Sequence, residues 1–246
     1  MNVSVFIPCF IDQLFPRTGE NFITLLQKVG CEVQYNPNQS CCGQPSYNSG
    51  YTAQTQAMAR KFLQDFVGND IIVSPGGSCT GFVKRHYASL FENEQEKQQA
   101  QQVAARMYEI CDFLVNYLKI TDVGAEFSAK VCVHDSCAAM REYGLRGEPR
   151  ELLSQVKGLE IVEMPESDTC CGFGGTFSVK QKAISQAMVE QKVQYAIESG
   201  AQYITSTEAS CLMNIAAYIE KNNCPITAIH IVDILAHSIK RNPIKN

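Results

Sequence analysis

Hydrophobic positions along the chain fall into short unbroken runs separated by helically spaced ones. The first run is Val3-Ser4-Val5-Phe6-Ile7-Pro8. Phe22, Leu25, Leu26 and Val29 then recur at i, i+3, i+4 and i+7, the spacing of one helix face. Further runs lie at residues 30–37 and 70–74. The alternation restarts at residues 131–136, continues with Leu152, Leu153 and Val156 on a helix face, and adds runs at 158–165 and 202–206. Near-continuous apolar runs are what strands covered on both faces require. Strands separated by helical patterns imply right-handed βαβ crossovers. The pattern therefore predicts an α/β protein of two pseudo-duplicated halves, each a mostly parallel sheet flanked by helices. Gly124 and Ser128 interrupt the pattern within residues 122–130, which sets the expected halves at 1–125 and 126–246. The charged, Gln-rich residues 92–102 read as a solvated helix or linker.

The duplication is also written in cysteines. Cys41-Cys42-Gly43 recurs as Cys170-Cys171-Gly172. A lone cysteine follows the first strand of each half, Cys9 and Cys137, and another follows the third, Ser78-Cys79 and Ser210-Cys211. Each half closes on a further match, Glu109-Ile110-Cys111-Asp112-Phe113-Leu114 answering His230-Ile231-Val232-Asp233-Ile234-Leu235. In a parallel sheet the carboxyl ends of all strands share one edge, where ligands of open α/β sheets bind. Cys9, Cys41, Cys42 and Cys79 are thus expected to converge in the first half, and Cys137, Cys170, Cys171 and Cys211 in the second. Helices starting just beyond these loops would turn free N–H groups and partial positive charge toward an anionic group. Glycines 43, 76, 77, 172, 174 and 175 would let backbone pass close to it.

Composition narrows the chemistry. The chain has 246 residues, is 45% hydrophobic and carries a net charge of −4, an ordinary globular balance without the basic face of a nucleic-acid binder. No stretch approaches the ~18–20 apolar residues that span a bilayer. The first residues lack the basic leader and cleavage site of a signal peptide and read as a buried strand, so a cytoplasmic location is expected. There, twelve cysteines indicate metal or redox chemistry rather than disulfide staples. Four thiolates suit a 4Fe–4S cluster, a 2Fe–2S cluster or tetrahedral zinc. Directly adjacent pairs, in place of Cys-x-x-Cys knuckles, favour iron–sulfur. A thiol–disulfide relay is the remaining alternative. No Gly-x-Gly-x-x-Gly turn offers a nicotinamide or flavin site, so the chain reads as an electron-handling subunit that needs partners.

The doubled Cys…Cys-Cys-Gly…Cys pattern, with residues 40–51, 170–180 and 210–214, resembles the cysteine-rich CCG-domain family over essentially the whole chain. That family includes the cysteine-rich component of heterodisulfide reductase, the glycolate oxidase iron–sulfur subunit and a component of the anaerobic glycerol-3-phosphate dehydrogenase. The resemblance is to its lactate-utilisation members. It implies two iron–sulfur clusters, a part in oxidising L-lactate to pyruvate, and companion proteins that include a ferredoxin-domain iron–sulfur protein. Heterodisulfide reductase relatives carry a fifth cysteine per half, where this chain has Phe82 and Asn214. Four thiols per half fit ordinary 4Fe–4S clusters better than a disulfide-cleaving site. A zinc-stabilised scaffold subunit and a thiol–disulfide reductase of heterodisulfide type are the alternatives.

Four cysteines fall outside the repeat. Cys31 and Cys111 align with Leu159 and Val232 and are expected in the core, as is Cys132; Cys224, before Pro225, is read as incidental. His134 and Asp135 precede Cys137 and suggest a loop hydrogen bond, with a proton relay or an extra ligand as the sharper reading. Arg141, Lys180 and Glu208 are candidates to balance charge at the site or to hold an anion, and equally surface residues.

Overall fold

The computed structural model of the chain describes residues 1–68 and 70–238. β1 (Asn2–Val5), β2 (Glu32–Tyr35), β3 (Ile71–Ser74) and β4 (Met107–Glu109) form an all-parallel sheet in the order 2-1-3-4. β5 (Glu126–Val133), β6 (Lys157–Ile161), β7 (Tyr203–Ser206) and β8 (Thr227–His230) form a second in the order 6-5-7-8. In the first half α1 (Cys9–Leu14) and α2 (Pro16–Lys28) join β1 to β2. There α3 (Gln44–Asn48) and α4 (Thr52–Asp65) lead to β3, α5 (Gly77–His86) and α6 (Glu94–Arg106) lead to β4, and α7 (Ile110–Asp112) follows. The second half repeats this with α8 (Glu148–Ser154), α9 (Thr176–Lys180), α10 (Lys182–Glu198), α11 (Ala209–Lys221) and α12 (Ile231–Leu235).

The elements follow from local chemistry. Pro16 opens α2, where its missing N–H costs nothing, and Phe22, Leu25 and Leu26 form the buried face. The Gln-rich segment is a full helix, α6. Asn93 caps it by accepting from the N–H groups of Gln95 (2.9 Å) and Glu96 (3.2 Å), and Ala100 and Val103 bury one side. Ser128, read from the sequence as an interruption, falls inside a strand rather than between elements. It lies within β5, beside a register shift between Glu126 and Ala129.

The two sheets share a core. One buried cluster takes Val3 and Val5 from the first sheet, Val131 and Val133 from the second, Leu25 and Leu26 from α2, and Ile234 and Leu235 from α12. Thr18 and Asn21 of α2 each donate to Asp233 of α12 at 2.8 Å. On the opposite side α5 packs on a π-helical turn, Ala139–Tyr143. A Cβ on Gly77 would stand 2.6 Å from the Ala139 Cβ, and one on Gly81 would stand 2.8 Å from the Tyr143 nitrogen. Only glycine allows so close an approach. It brings the carboxyl edges of both sheets to one cleft.

The halves correspond step by step. Phe6 N–H donates to the Val73 carbonyl (2.9 Å), and His134 N–H donates to that of Thr205 (2.7 Å). Phe6 and His134 therefore hold the same position. A Cβ on Gly43 would meet Thr55 and Met58 of α4, and one on Gly172 would meet Ser185 and Met188 of α10. Continuing along those helices, Ala59, Phe62 and Leu63 correspond to Val189, Lys192 and Val193, and all six are buried. No helix among the described residues is long and apolar enough to cross a membrane.

Candidate metal centres

Cys9 opens α1, with Phe6, Ile7 and Pro8 between it and β1. Cys41 and Cys42 lie in the loop after β2, which turns into α3 at Gly43 with φ 90°. Cys79 is the third residue of α5. In the second half Cys137 starts the helical turn after β5, and Cys170 and Cys171 precede Gly172 (φ 83°). Cys211 is the third residue of α11. All eight stand at the carboxyl ends of the strands, where the repeat predicts them. The glycines permit left-handed turns that side-chain-bearing residues adopt only with strain.

All twelve cysteines are free thiols. Within each set of four they lie close enough to control one another's ionisation. Donation from Cys42 and Cys9, with help from the Gly43 N–H at 3.4 Å, outweighs burial and brings the Cys41 thiol down to about 3. In the second set Cys137 and Cys171 bring Cys170 down to about 2, with the Gly172 N–H at 3.4 Å. Cys171, His134 and Ser136 together overcome burial and lower Cys211 to about 5. The donating thiols Cys9, Cys42, Cys137 and Cys171 are pushed up, chiefly by the bonds they give. Each set thus combines thiolates with protons that a bound cation would displace.

The surroundings of the two sets differ. His134 is 1% exposed, and neither ring nitrogen meets hydrogen-bonding geometry with any protein group. A ring nitrogen of His134 and the sulfurs of Cys171 and Cys211 all lie within 4.8 Å of one another. Asp135 is committed elsewhere. Arg150 grips it with two nitrogens, at 2.7 and 2.9 Å, and Ser167 donates at 2.7 Å. Burial pushes the Asp135 carboxyl up, and these bonds more than reverse it. That is the loop hydrogen-bonding role, and it removes Asp135 from the site. Lys180 is exposed on α9, while Arg141 lies close enough to Cys137 to favour its thiolate.

Glu208 is buried and crosses between the halves. It accepts from the backbone N–H of Ser78, and from the Ser78 hydroxyl at 2.7 Å. Burial, then the Cys211 thiolate, raises its carboxyl to about 8. It lines a cleft of about 250 Å³ onto which Cys9, Cys41 and Cys79 open from one side and Cys137 and Cys211 from the other. Phe10 and Phe173 meet edge to face across the cleft, with ring centres 5.5 Å apart.

The remaining cysteines lie where the sequence places them. Cys31, Cys111 and Cys132 are buried in apolar clusters, and Cys224 packs partly buried against one. The sequence alone missed Lys192, a charged residue in a helix without a clear apolar face that is nonetheless fully buried. It also missed how the adjacent pairs are anchored. Tyr87 donates to the Cys42 carbonyl (2.7 Å), and Asn214 donates to the Cys171 carbonyl (2.9 Å). Asn214 thus holds the loop from α11.

The profile of the CCG cysteine-rich domain matches residues 3–84 and 131–216, once in each half. Lactate utilization protein A 1 of Bacillus mycoides is 42% identical over 246 residues, covering 99% of this chain and 100% of its own length. Lactate utilization protein A of Macrococcus caseolyticus is 42% identical over 98% of each chain. That of Bacillus subtilis is 40% identical over 96% of this chain and 99% of its own. Solved structures align distantly: a putative Asp/Glu racemase from Yersinia pestis covers 96% of each chain at 12% identity with a TM-score of 0.37, too low to bear on function.

Proposed function

The chain belongs to the CCG cysteine-rich domain family, and from that premise we propose that it is the iron–sulfur electron-transfer subunit of an L-lactate oxidation system. The observation that carries this reading is the arrangement of eight thiols. Two sets of four are drawn from the same loops of a duplicated fold, and Cys9, Cys41 and Cys79 of one set and Cys137 and Cys211 of the other open onto one cleft. Cys9, Cys41, Cys42 and Cys79 would hold one 4Fe–4S cluster, and Cys137, Cys170, Cys171 and Cys211 the other.

The residues fit such a group. Thiolates come from three separate loops, so they can surround a cluster rather than chelate one ion. The Gly43 and Gly172 N–H groups already point at sulfur. Cys79 and Cys211 lie in the first turns of α5 and α11, where the helix end favours negative charge. Such a cluster, once bound, takes up and gives back single electrons. The chain's own part is to fix the thiolates, keep Cys42 and Cys171 out of solvent, and supply the backbone donors. The more exposed Cys9, Cys41, Cys79 and Cys137 face the cleft.

Lactate enters through the relatives, each named for its utilization. Their system gives this chain its companions, of which a ferredoxin-domain iron–sulfur protein fits as the electron-exchanging partner. The chain itself would not oxidise lactate alone. Growth on L-lactate as sole carbon source tests the reading. Deletion should abolish growth where no second lactate pathway exists, and the wild-type chain should restore it. A Cys41→Ser/Cys42→Ser chain, present at normal levels, should not restore it. Full growth with that variant would refute the electron-transfer role.

A further inference from the structure

The two halves share a backbone but differ in charge at the positions that face the cysteines. In the first half Phe6 and Phe62 meet edge to face at 4.9 Å, within an aromatic cluster that Cys42 joins. In the second half the same two positions carry His134 and Lys192. His134 lies against Cys171 and Cys211. Lys192 is fully buried, donates to the Glu166 carbonyl and feels the charge of Cys171. A third exchange follows one turn beyond the lone cysteine. Gln13 stands four residues after Cys9, and Arg141 stands four after Cys137, whose thiolate it favours. Two apolar or neutral positions are thus replaced by the cationic Lys192 and Arg141, and a third by the polar imidazole of His134, all at the second set.

Acids also enter the second half near Lys192, at Asp135, Glu166 and Asp168. Asp135 is paired with Arg150. Asp168 and Glu166 act on Lys192 from the loop before Cys170, but both are exposed, so solvent screens them. Glu208 borders both sets, through Ser78 on one side and Cys211 on the other. Positive charge and hydrogen bonds to sulfur favour the reduced, more negative form of a thiolate-held cluster.

We propose that His134, Arg141 and Lys192 set the second centre at a higher reduction potential than the first, so that an electron entering the protein comes to rest in the second half. This rests on the iron–sulfur reading above. The equilibrium is one electron shared between two centres, with no bond made or broken and no proton transferred. The three residues are positioning and tuning groups, and their effect is read in potentials rather than in turnover.

Potentiometric titration of the anaerobically prepared holoprotein, followed by electron paramagnetic resonance, tests the proposal. Cys41→Ser/Cys42→Ser and Cys170→Ser/Cys171→Ser assign each wave to its half. The second-half wave should lie at the higher potential. Lys192→Met should lower it by about tenfold in the reduced-to-oxidised ratio, about 59 mV for a one-electron couple. Lys192→Arg should leave it in place, and neither variant should move the first wave. Arg141→Gln places the first half's residue at an exposed position and should shift the same wave downward without threatening the fold. A first-half wave at or above the second overturns the proposal, as does an unmoved second wave in both Lys192→Met and Arg141→Gln. Iron and sulfide measured on the same samples separate the failures: their absence defeats the iron–sulfur reading itself, whereas loaded clusters with matching potentials defeat only the tuning.

Discussion

Glu109 offers a quantitative test of the packing that supports the site. It ends β4 and caps α7 by accepting from the N–H of Cys111 (2.6 Å) and Asp112 (3.3 Å). Its other oxygen is buried without a partner. Burial, partly offset by those bonds, raises its carboxyl from 4.5 to about 8. The folded state therefore keeps a proton up to about pH 8 that the unfolded chain releases near 4.5. Between those values the native state binds more protons, so stability falls as pH rises. Glu109→Gln keeps an accepting oxygen and stays neutral, which removes the dependence. From about pH 5.5 to pH 8 the variant should gain about 3 kcal/mol on the wild type, since every tenfold change in proton affinity is worth about 1.4 kcal/mol. For a chain of this size that is about 6–12 °C in melting temperature. Thermal unfolding followed by circular dichroism across that range reads it directly. Melting curves for the two proteins that run parallel with pH would refute the claim that Glu109 is buried as a protonated acid.

The remaining predictions concern the loops and the junction between the halves. Gly43→Ala and Gly172→Ala both force an alanine into a left-handed turn, at about 1–2 kcal/mol. The Gly172 Cβ would also stand 2.5 Å from the Ser185 carbonyl oxygen, against 3.3 Å from the Met58 Cβ at Gly43. Gly172→Ala should therefore melt lower, and equal melting temperatures would contradict the difference in packing. Glu208→Ala strands the N–H and hydroxyl of Ser78 at the cleft and should cost about 1–3 kcal/mol for each group left unpaired. In chemical denaturation Glu208→Gln should lose less, and a Glu208→Ala protein as stable as wild type would remove Glu208 as a clamp between the halves.

The repeat was legible because it is local and doubled. Cys-Cys-Gly followed by a helix, and a lone cysteine after an apolar strand, each appear twice at near-constant spacing, so the sheets and the eight thiols could be placed together. The shared cleft was not legible. It depends on Gly77 and Gly81 meeting Ala139 and Tyr143, a contact between distant segments whose only trace is two small residues in a helix. Lys192 was hidden for a related reason. A lysine in a helix without a clear apolar face reads as solvated until the match to Phe62 places it on the buried side. His134 was visible as a candidate, but Asp135 looked its equal. Arg150, fifteen residues on, claims one and leaves the other.

Iron and acid-labile sulfide per chain, measured in protein purified without oxygen from iron-replete cells, test the central claim most directly. Two 4Fe–4S clusters predict about eight of each per wild-type chain and about four in Cys41→Ser/Cys42→Ser or Cys170→Ser/Cys171→Ser chains. Protein that folds with zinc or no metal in place of iron and sulfide, or that keeps its full iron in both variants, would contradict it.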